Sequence, residues 1–249
     1  MKVSIITVCY NSEVTIDETI NSVINQSYNN LEYIIIDGNS EDTTMSIINK
    51  YKNKIDKIIS ESDKGIYYAM NKGIKLATGD IIGFLHSDDL YFDSNSVVDV
   101  VSYFRDNKFD GVYGDLQYVY KENTNKVIRL WKSHIFQPKL LKMGWMPPHP
   151  TLFLKKNVYK KHGNFDTFYR ISADYDFILR ILRDKNLEFG YLPKIITKMR
   201  VGGASNRSLK NIIQKTREDY KAVCSNNIGG LFSIVLKNFS KIKQFLIKN

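Results

Sequence analysis

The stretch Val3 to Tyr10 is rich in Val, Ile and Thr and shows no alternation of apolar and polar residues. A strand with one solvated face alternates with period two. A run that does not alternate is a strand covered on both faces, as in a parallel sheet. Parallel strands cannot be joined by a tight turn and need a crossover, usually a helix. The chain provides one each time. Val14, Ile16, Ile20, Val23 and Ile24 follow the first strand at helical spacing, with Asn11-Ser12 as candidate cap. Leu31 to Ile36 is the next strand, ending Asp37-Gly38-Asn39-Ser40; Ser40 or Asn39 would cap a helix carrying Met45, Ile47, Ile48 and Tyr51. Lys57 to Ser60 predicts a third strand. Asp63-Lys64-Gly65 opens a helix from Ile66 to Leu76, closed by Thr78-Gly79. A fourth strand lies in Gly79-Asp80-Ile81-Ile82-Gly83-Phe84-Leu85-His86-Ser87-Asp88-Asp89 and stops at two adjacent carboxylates. This alternation predicts an α/β fold on a doubly wound, mostly parallel sheet with helices on both faces.

Beyond it the pattern changes. Residues 95–107 read as a helix and Gly111 to Asp115 as a strand. Leu116 to Trp131 reads as a hairpin turning at Glu122-Asn123-Thr124-Asn125, a small antiparallel element. Gly144-Trp145-Met146-Pro147-Pro148-His149-Pro150 cannot be helix interior. Thr151 to Leu154 predicts a strand and Lys155 to His162 a basic helix.

Composition narrows the class. With 249 residues, 43% hydrophobic and 25% charged, the chain can bury an ordinary core, and its net charge of +10 favours anionic partners. The basic residues are dispersed and no recognition motif accompanies them, so nucleic acid is not expected as a partner. Two distant cysteines, Cys9 and Cys224, fit a reduced, cytoplasmic setting without disulfides or a zinc site. The apolar run at the N-terminus is broken at Asn11-Ser12-Glu13, too early for a secretory leader, and no stretch reaches membrane-spanning length.

The chemistry sits at strand ends, where open α/β sheets bind ligands. No G-x-G-x-x-G follows the first strand and no Walker loop occurs, which disfavours a dinucleotide-dependent dehydrogenase or a P-loop enzyme. Instead Asp37, Asp63 and Asp88-Asp89 end three strands, beside Tyr10 at the end of the first. Together they suggest a nucleotide pocket: a ring to stack on a base, a carboxylate for base N–H or ribose hydroxyls, and a pair of hard oxygen ligands for Mg²⁺ or Mn²⁺ on a diphosphate. In Ile171-Ser172-Ala173-Asp174-Tyr175-Asp176, Asp174 precedes a strongly helical run. A carboxylate there is stabilised by free N–H groups, which suits a structural cap and equally a rigidly held base.

In order and spacing, five segments resemble family 2 glycosyltransferases of the GT-A fold: Ser4-Ile5-Ile6-Thr7-Val8-Cys9-Tyr10-Asn11; Ile36-Asp37-Gly38-Asn39-Ser40-Glu41-Asp42-Thr43; Asp63-Lys64-Gly65-Ile66-Tyr67-Tyr68-Ala69-Met70-Asn71-Lys72-Gly73; Phe84-Leu85-His86-Ser87-Asp88-Asp89; and Ser172-Ala173-Asp174-Tyr175-Asp176. The resemblance implies inverting transfer of one sugar from a nucleotide-sugar donor, UDP-linked by family habit, to a glycan or polyprenyl-diphosphate-linked acceptor. The implied setting is bacterial surface-polysaccharide biosynthesis of the colanic-acid or O-antigen type. It assigns base and ribose to Tyr10, Asn11 and Asp37, further nucleotide contacts to Asp63, Lys64 and Asn71, and the general base to Asp174. Asp88 would contact ribose, and Asp88 with Asp89 would hold Mn²⁺ or Mg²⁺ on the diphosphate. Met199-Arg200-Val201-Gly202-Gly203-Ala204-Ser205 resembles a donor-closing loop in which Arg200 would clamp the diphosphate; a surface turn is the alternative. Three departures stand out. His86 replaces the first carboxylate of D-x-D, Ala173 replaces Glu before the base, and the Q-x-x-R-W of processive synthases is absent.

On this reading residues 1–205 form the catalytic domain, with 1–115 as the nucleotide-sugar half and 116–205 as the acceptor half, and 206–249 form a helical, basic tail. Trp145 and His149 either line the acceptor site or pack structurally, and of Tyr67 and Tyr68 one is core and one pocket wall. Ile228, Leu231, Phe232, Val235, Phe239, Ile242 and Leu246 make an apolar stripe interspersed with Lys237, Lys241, Lys243 and Lys248. It would either dock on the domain or lie on an anionic bilayer, helped by Lys155, Lys156, Lys160 and Lys161, as a peripheral contact on the inner face of the membrane. Competing readings are a sugar nucleotidyltransferase, which would need a Gly-rich basic loop after the first strand, and a glycoside hydrolase, for which adjacent Asp88-Asp89 are too close to flank a sugar.

Overall fold

A computed structural model describes residues 1–202 and 209–243. The four expected strands form the parallel half of one sheet, β1 (Val3–Cys9), β2 (Leu31–Asp37), β3 (Lys57–Ser60) and β4 (Ile81–Phe84), in the order β3-β2-β1-β4. Residues of β1 and β2 divide by parity between two cores, as both-face burial requires. Ile6, Val8, Ile34 and Ile36 meet Met70 and Ile74 of α3 (Ile66–Leu76) and Ile178 of α7 (Ala173–Leu182). Ile5, Cys9, Tyr33 and Ile35 meet Ile16 and Ile20 of α1 (Ile16–Ile24) and Val97 and Val101 of α4 (Ser96–Asp106). The register Cys9↔Asp37↔Ser60 brings the ends of β1, β2 and β3 to one edge.

Past β4 the sheet turns antiparallel. β8 (Phe153–Lys155) pairs β4 and then β6 (Gly111–Val119); β6 pairs β7 (Val127–Trp131) and, in parallel, β9 (Phe189–Arg200), which pairs β5 (Asp89–Tyr91). Gly83 permits the β4–β8 crossing, since a Cβ there would lie 2.5 Å from the Phe153 ring. The hairpin exists, but β6 runs unbroken from Gly111 into it. Two local expectations need correction. Neither Ser40 nor Asn39 caps α2 (Thr44–Lys50), because both lie in a turn closed on Asp37. Arg200 is not on a loop; it ends β9, paired to β6. Gly203, Ala204 and Ser205 lie outside the described residues.

Beyond the single-turn α5 (Lys139–Lys142), the basic helix α6 (Lys156–His162) forms as expected. After it, α8 (Leu209–Ser225) packs on α7 and α9 (Leu231–Lys243) on α8, and Ala222, Val223 and Ile234 join the main core. Of the apolar stripe, Ile228 packs against the core but the part at the start of α9 does not dock. Ser233, Ile234 and Lys237 are buried, whereas Leu231 and Phe232 are 69% and 72% exposed. Lys237, read as part of a basic surface, is inside because Asp219 lies 2.8 Å from its ammonium and the Tyr175 ring packs beneath it. Leu246 and Lys248 fall outside the described residues. No helix among the described residues is long and apolar enough to cross a membrane.

Candidate active site

The carboxylates along the edge where β1, β2, β3 and β4 end sit in different environments. Asp37 is fully buried. Its Oδ1 accepts the Ser40 hydroxyl at 2.5 Å, and its Oδ2 accepts the Ser40 N–H at 3.0 Å and the Ser60 hydroxyl at 2.6 Å. Asn11 adopts a left-handed conformation, φ 47°, which Asn tolerates. Its N–H donates to Ser40 Oγ and its Oδ1 accepts the Glu41 N–H, both at 2.9 Å. Asp37 and Asn11 thus tie the loops after β1 and β2 together. Between them Tyr10 stands 59% exposed beside Gly38, where a side chain would touch its ring. Of the three, Tyr10 is the group free to stack on a planar ligand.

Asp63 pairs with Lys72 at 3.0 Å, and its Oδ2 is buried without a partner; Lys64 is exposed. Asn71 lies farther along α3. Its amide brackets the Phe165 backbone, donating to the carbonyl at 2.8 Å and accepting the N–H at 3.0 Å. It fixes the segment leading to α7.

The turn from β4 into β5 splits the Asp-Asp pair. The Asp89 N–H donates to the His86 carbonyl at 3.0 Å, and β5 begins at Asp89. The Thr19 hydroxyl of α1 reaches the carbonyls of Ser87 and Asp89 at 3.0 and 2.8 Å. Arg200, 2% exposed, donates to the Asp88 carbonyl at 2.9 Å, to the Lys121 carbonyl at 3.2 Å and to Glu18 at 2.5 Å. Its guanidinium therefore pins the backbone of the turn. Asp88 is left half-exposed, while Asp89 is 1% exposed with both carboxylate oxygens lacking a hydrogen bond. Burial, reinforced by the Asp88 charge, pushes the Asp89 carboxyl well above its usual range, against a smaller opposing pull from Arg200. Such orphaned, buried oxygens need a proton or a cation. No group of three or more His, Cys, Asp or Glu residues able to hold a metal occurs among the described residues. The donor set, one half-exposed carboxylate with a second behind it, fits a hard divalent ion that takes its other ligands from phosphate and water.

Asp174 lies in the first turn of α7, half-buried. The buried Tyr67 hydroxyl sits 2.7 Å from the Ile171 carbonyl and 3.0 Å from Asp174 Oδ1, and burial, then the Asp174 charge, drives its pKa far upward, so it remains a donor. Tyr67 is thus the core tyrosine and also contacts Asp174, while Tyr68 is exposed. Two imidazoles lie between the carboxylates: His86 senses both Asp88 and Asp174, and His149 senses Asp174 and His86. Burial lowers the pKa of both, that of His149 to about 4, and leaves His86 Nδ1 without a partner. His149 packs against Phe84 and Phe165 at the site, whereas Trp145, half-buried, packs against Tyr113, His134 and Phe136 at the margin of the core. Asp88, His86, His149 and Asp174 thus follow one another across the edge, the two imidazoles between the two carboxyl groups with their rings 5.9 Å apart. Thr19 carries no motif by which its contacts could be read from sequence, and Tyr67, though it lies in the segment Asp63 to Gly73, carries no sign there of its contact with Asp174.

Comparison with known proteins gives this edge a context. The model of the family described as Glycosyl transferase family 2 matches residues 4–163. A "PGL/p-HBAD biosynthesis glycosyltransferase" of Mycobacterium bovis is 28% identical over 208 residues, covering 82% of this chain and 78% of that protein. The crystal structure of residues 1–349 of S. aureus TarS in complex with UDP-GlcNAc superimposes with a TM-score of 0.69 at 19% identity, covering 90% of this chain and 66% of that one. The mannosyltransferase PcManGT of Pyrobaculum calidifontis, in complex with GDP-Man and Mn²⁺, gives 0.67 at 16% identity, covering 90% and 63%. The chain spans only 40% of a longer TarS structure. With the family match covering most of the chain and the α/β sheet sharing the GT-A fold, this chain is a glycosyltransferase and belongs to glycosyl transferase family 2.

Proposed function

We propose that the chain transfers a single sugar, with inversion, from a UDP-linked donor to the hydroxyl of a glycan or lipid-linked acceptor, with Asp174 as general base. The observation that carries this reading is the half-buried Asp174 carboxylate, held by Tyr67 at 3.0 Å and facing His86 and His149, with Asp88 beyond them. In the step, the acceptor oxygen attacks the anomeric carbon from the face opposite the leaving group and gives its proton to Asp174. The bond from that carbon to the diphosphate oxygen breaks, and the nucleoside diphosphate leaves. The neutral imidazoles add no positive charge to compete for the base. Tyr10 would stack on the nucleobase, beside loops held by Asn11 and Asp37, with Asp63 and Lys64 at the mouth.

Asp88, backed by Asp89, would hold Mn²⁺ or Mg²⁺, which offsets negative charge on the departing diphosphate. The structurally similar PcManGT was crystallised with Mn²⁺, which supports the metal, and TarS with UDP-GlcNAc, which supports the donor class. The exposed Leu231, Phe232 and Val235 support a peripheral contact with an anionic membrane, where a polyprenyl-diphosphate acceptor would reside.

The test is a panel of UDP-, GDP- and dTDP-sugars with Mn²⁺, read by thermal shift and by slow donor hydrolysis. At least one should stabilise the protein and be hydrolysed; no response to any of them rejects the proposal. Asp174→Asn should keep donor binding and lose transfer by at least about a thousandfold, within the range of general-base and positioning effects. Retained transfer removes Asp174 from the base role.

A further inference from the structure

The base sits on α7 and the backbone that delivers it is held from α8, both beyond the residues 4–163 of the family match. Glu218, buried on α8, reaches back 46 to 48 residues and accepts three consecutive backbone N–H groups. Its Oε1 takes Arg170 N–H at 3.1 Å, and its Oε2 takes Ile171 N–H at 2.8 Å and Ser172 N–H at 3.0 Å. Gln214, one turn earlier, donates to the same carboxylate at 2.9 Å and fixes its orientation. Ser172 precedes α7 and its side chain makes no capping hydrogen bond; Glu218 holds the Ser172 N–H and the two amides before it, in the segment that leads into the helix. Ile171 is also the residue whose carbonyl receives the Tyr67 hydroxyl, the same hydroxyl that touches Asp174. One carboxylate thus sets the height of residues 170–172, the reach of Tyr67 and the aim of Asp174. Position 173, next to the base, is alanine and offers no carboxylate of its own.

Two further contacts hold α7 from the same side. Asn226 donates to Asp176 Oδ1 at 2.9 Å, and Arg183 donates to the Asn226 carbonyl at 2.7 Å. Asn226 acts on Asp176 within the first turn and Arg183 lies past the last; Glu218 acts on the residues that lead into the helix, joined there by the Ser172 hydroxyl on the Lys215 carbonyl at 3.5 Å and by Tyr67 on the Ile171 carbonyl.

We infer that Glu218 is a positioning residue for Asp174, so that α8 is a working part of the catalytic centre. This inference rests on the proposal that Asp174 is the base. Charge-assisted hydrogen bonds to three amides define a rigid anchor, and a displacement of about 1 Å at a reacting group can cost about a hundredfold in rate.

The test compares Glu218→Gln, which keeps shape but turns an N–H₂ toward the amides, with the milder Gln214→Leu. The readouts are amide hydrogen exchange in the free protein, UDP affinity by calorimetry with Mn²⁺, and kcat and KM with the UDP-sugar found active in the donor panel. Expected for Glu218→Gln are faster exchange confined to residues 170–174, UDP affinity and donor KM within about twofold, and kcat lowered at least about tenfold. Gln214→Leu should change exchange and kcat in the same sense by less. Unchanged kcat with accelerated exchange overturns the inference, and so does a loss of UDP affinity that matches the loss of kcat, because that marks general disruption. If Glu218→Gln fails to fold, Gln214→Leu decides: accelerated exchange at 170–172 with undiminished kcat rejects the inference. Asp174→Asn separates the two levels. If it abolishes transfer while Glu218→Gln leaves it intact, only the positioning role falls; if it leaves transfer intact, the base assignment falls first.

Discussion

Replacing His149 by Phe should flatten the acid side of the stability profile, by an amount the structure sets. His149 is 8% exposed, with Phe84, Phe165 and His86 rings at 5.8, 5.7 and 5.9 Å. Burial lowers its pKa from 6.5 to about 4, with Asp174 opposing. Between those values the unfolded chain binds a proton that the folded chain does not, so stability falls as pH drops through 6.5 and stops falling below about 4. The full window is worth about 3 kcal/mol, with about 1.4 kcal/mol lost by about pH 5.5 and about 2.5 kcal/mol by about pH 4.5. Other groups titrate too. Asp89, raised by burial, contributes the opposite slope, gaining stability as pH falls through its folded value. Glu32 sits at about 2, lowered mainly by hydrogen bonds from Ser4 and Thr78 against a burial penalty, and its contribution is lost only below its usual 4.5.

The raw profile therefore mixes signs, and the difference between wild type and variant isolates His149. Phe preserves the ring packing, so stability near pH 7 should change little. Urea unfolding at about pH 7, 5.5 and 4.5 should show the wild type losing about 2.5 kcal/mol more than His149→Phe over the range, apart from readjustment of neighbouring His86. Parallel profiles would mean that His149 is already protonated in the fold or open to water. The two-imidazole description of the site would then be wrong.

Two substitutions test the packing around that centre. Lys237→Met leaves Asp219 buried without its partner and should cost about 3–5 kcal/mol in chemical denaturation, a loss of the kind seen on removing one member of a buried ion pair; adding Asp219→Leu should restore part of it, and a fully stable single variant would mean that the pair is hydrated. Gly83→Ala places a Cβ 2.5 Å from Phe153 Cε1 and should cost about 1–3 kcal/mol, as overpacking does, with recovery in Gly83→Ala/Phe153→Leu; an unchanged unfolding midpoint in the single variant would show that β8 shifts freely.

The parallel half of the sheet was legible because a buried strand leaves a local trace. In Val3–Cys9 every residue is inside, so polar alternation cannot occur, and the crossover helices must follow. The β9 strand left no such trace. Its exposed Pro193 and Lys194 interrupt any apolar period, and β6, with which it pairs in parallel, lies more than 70 residues earlier. Which face of α9 turns inward was left open by the sequence for a related reason. Leu231, Phe232 and Val235 look like a core face by residue type, but Ser233 and Lys237 have partners on Lys142 and Asp219 that only the fold supplies, and those partners decide which side goes in.

At the candidate site, sequence nominates residues but does not show which of them the fold buries, and the Asp88-Asp89 pair shows why. Read along the chain, two adjacent carboxylates at a strand end look equivalent. β5 starts at Asp89, whose carboxylate is drawn inward with the strand, while Asp88 remains in the turn and stays half-exposed in front of it. Which one goes in depends on groups with no place in the motif: Thr19 on the two carbonyls, and Arg200 on the Asp88 backbone. The same logic applies across the edge. Asp174 is visible as a first-turn carboxylate, but what aims it, Tyr67 and Glu218, comes from 107 residues before it and 44 after. Short-range spacing can nominate the groups that touch substrate. The groups that hold them still are chosen by the topology, which is why His86, though it replaces a carboxylate, enters a site whose charge balance is set by its neighbours.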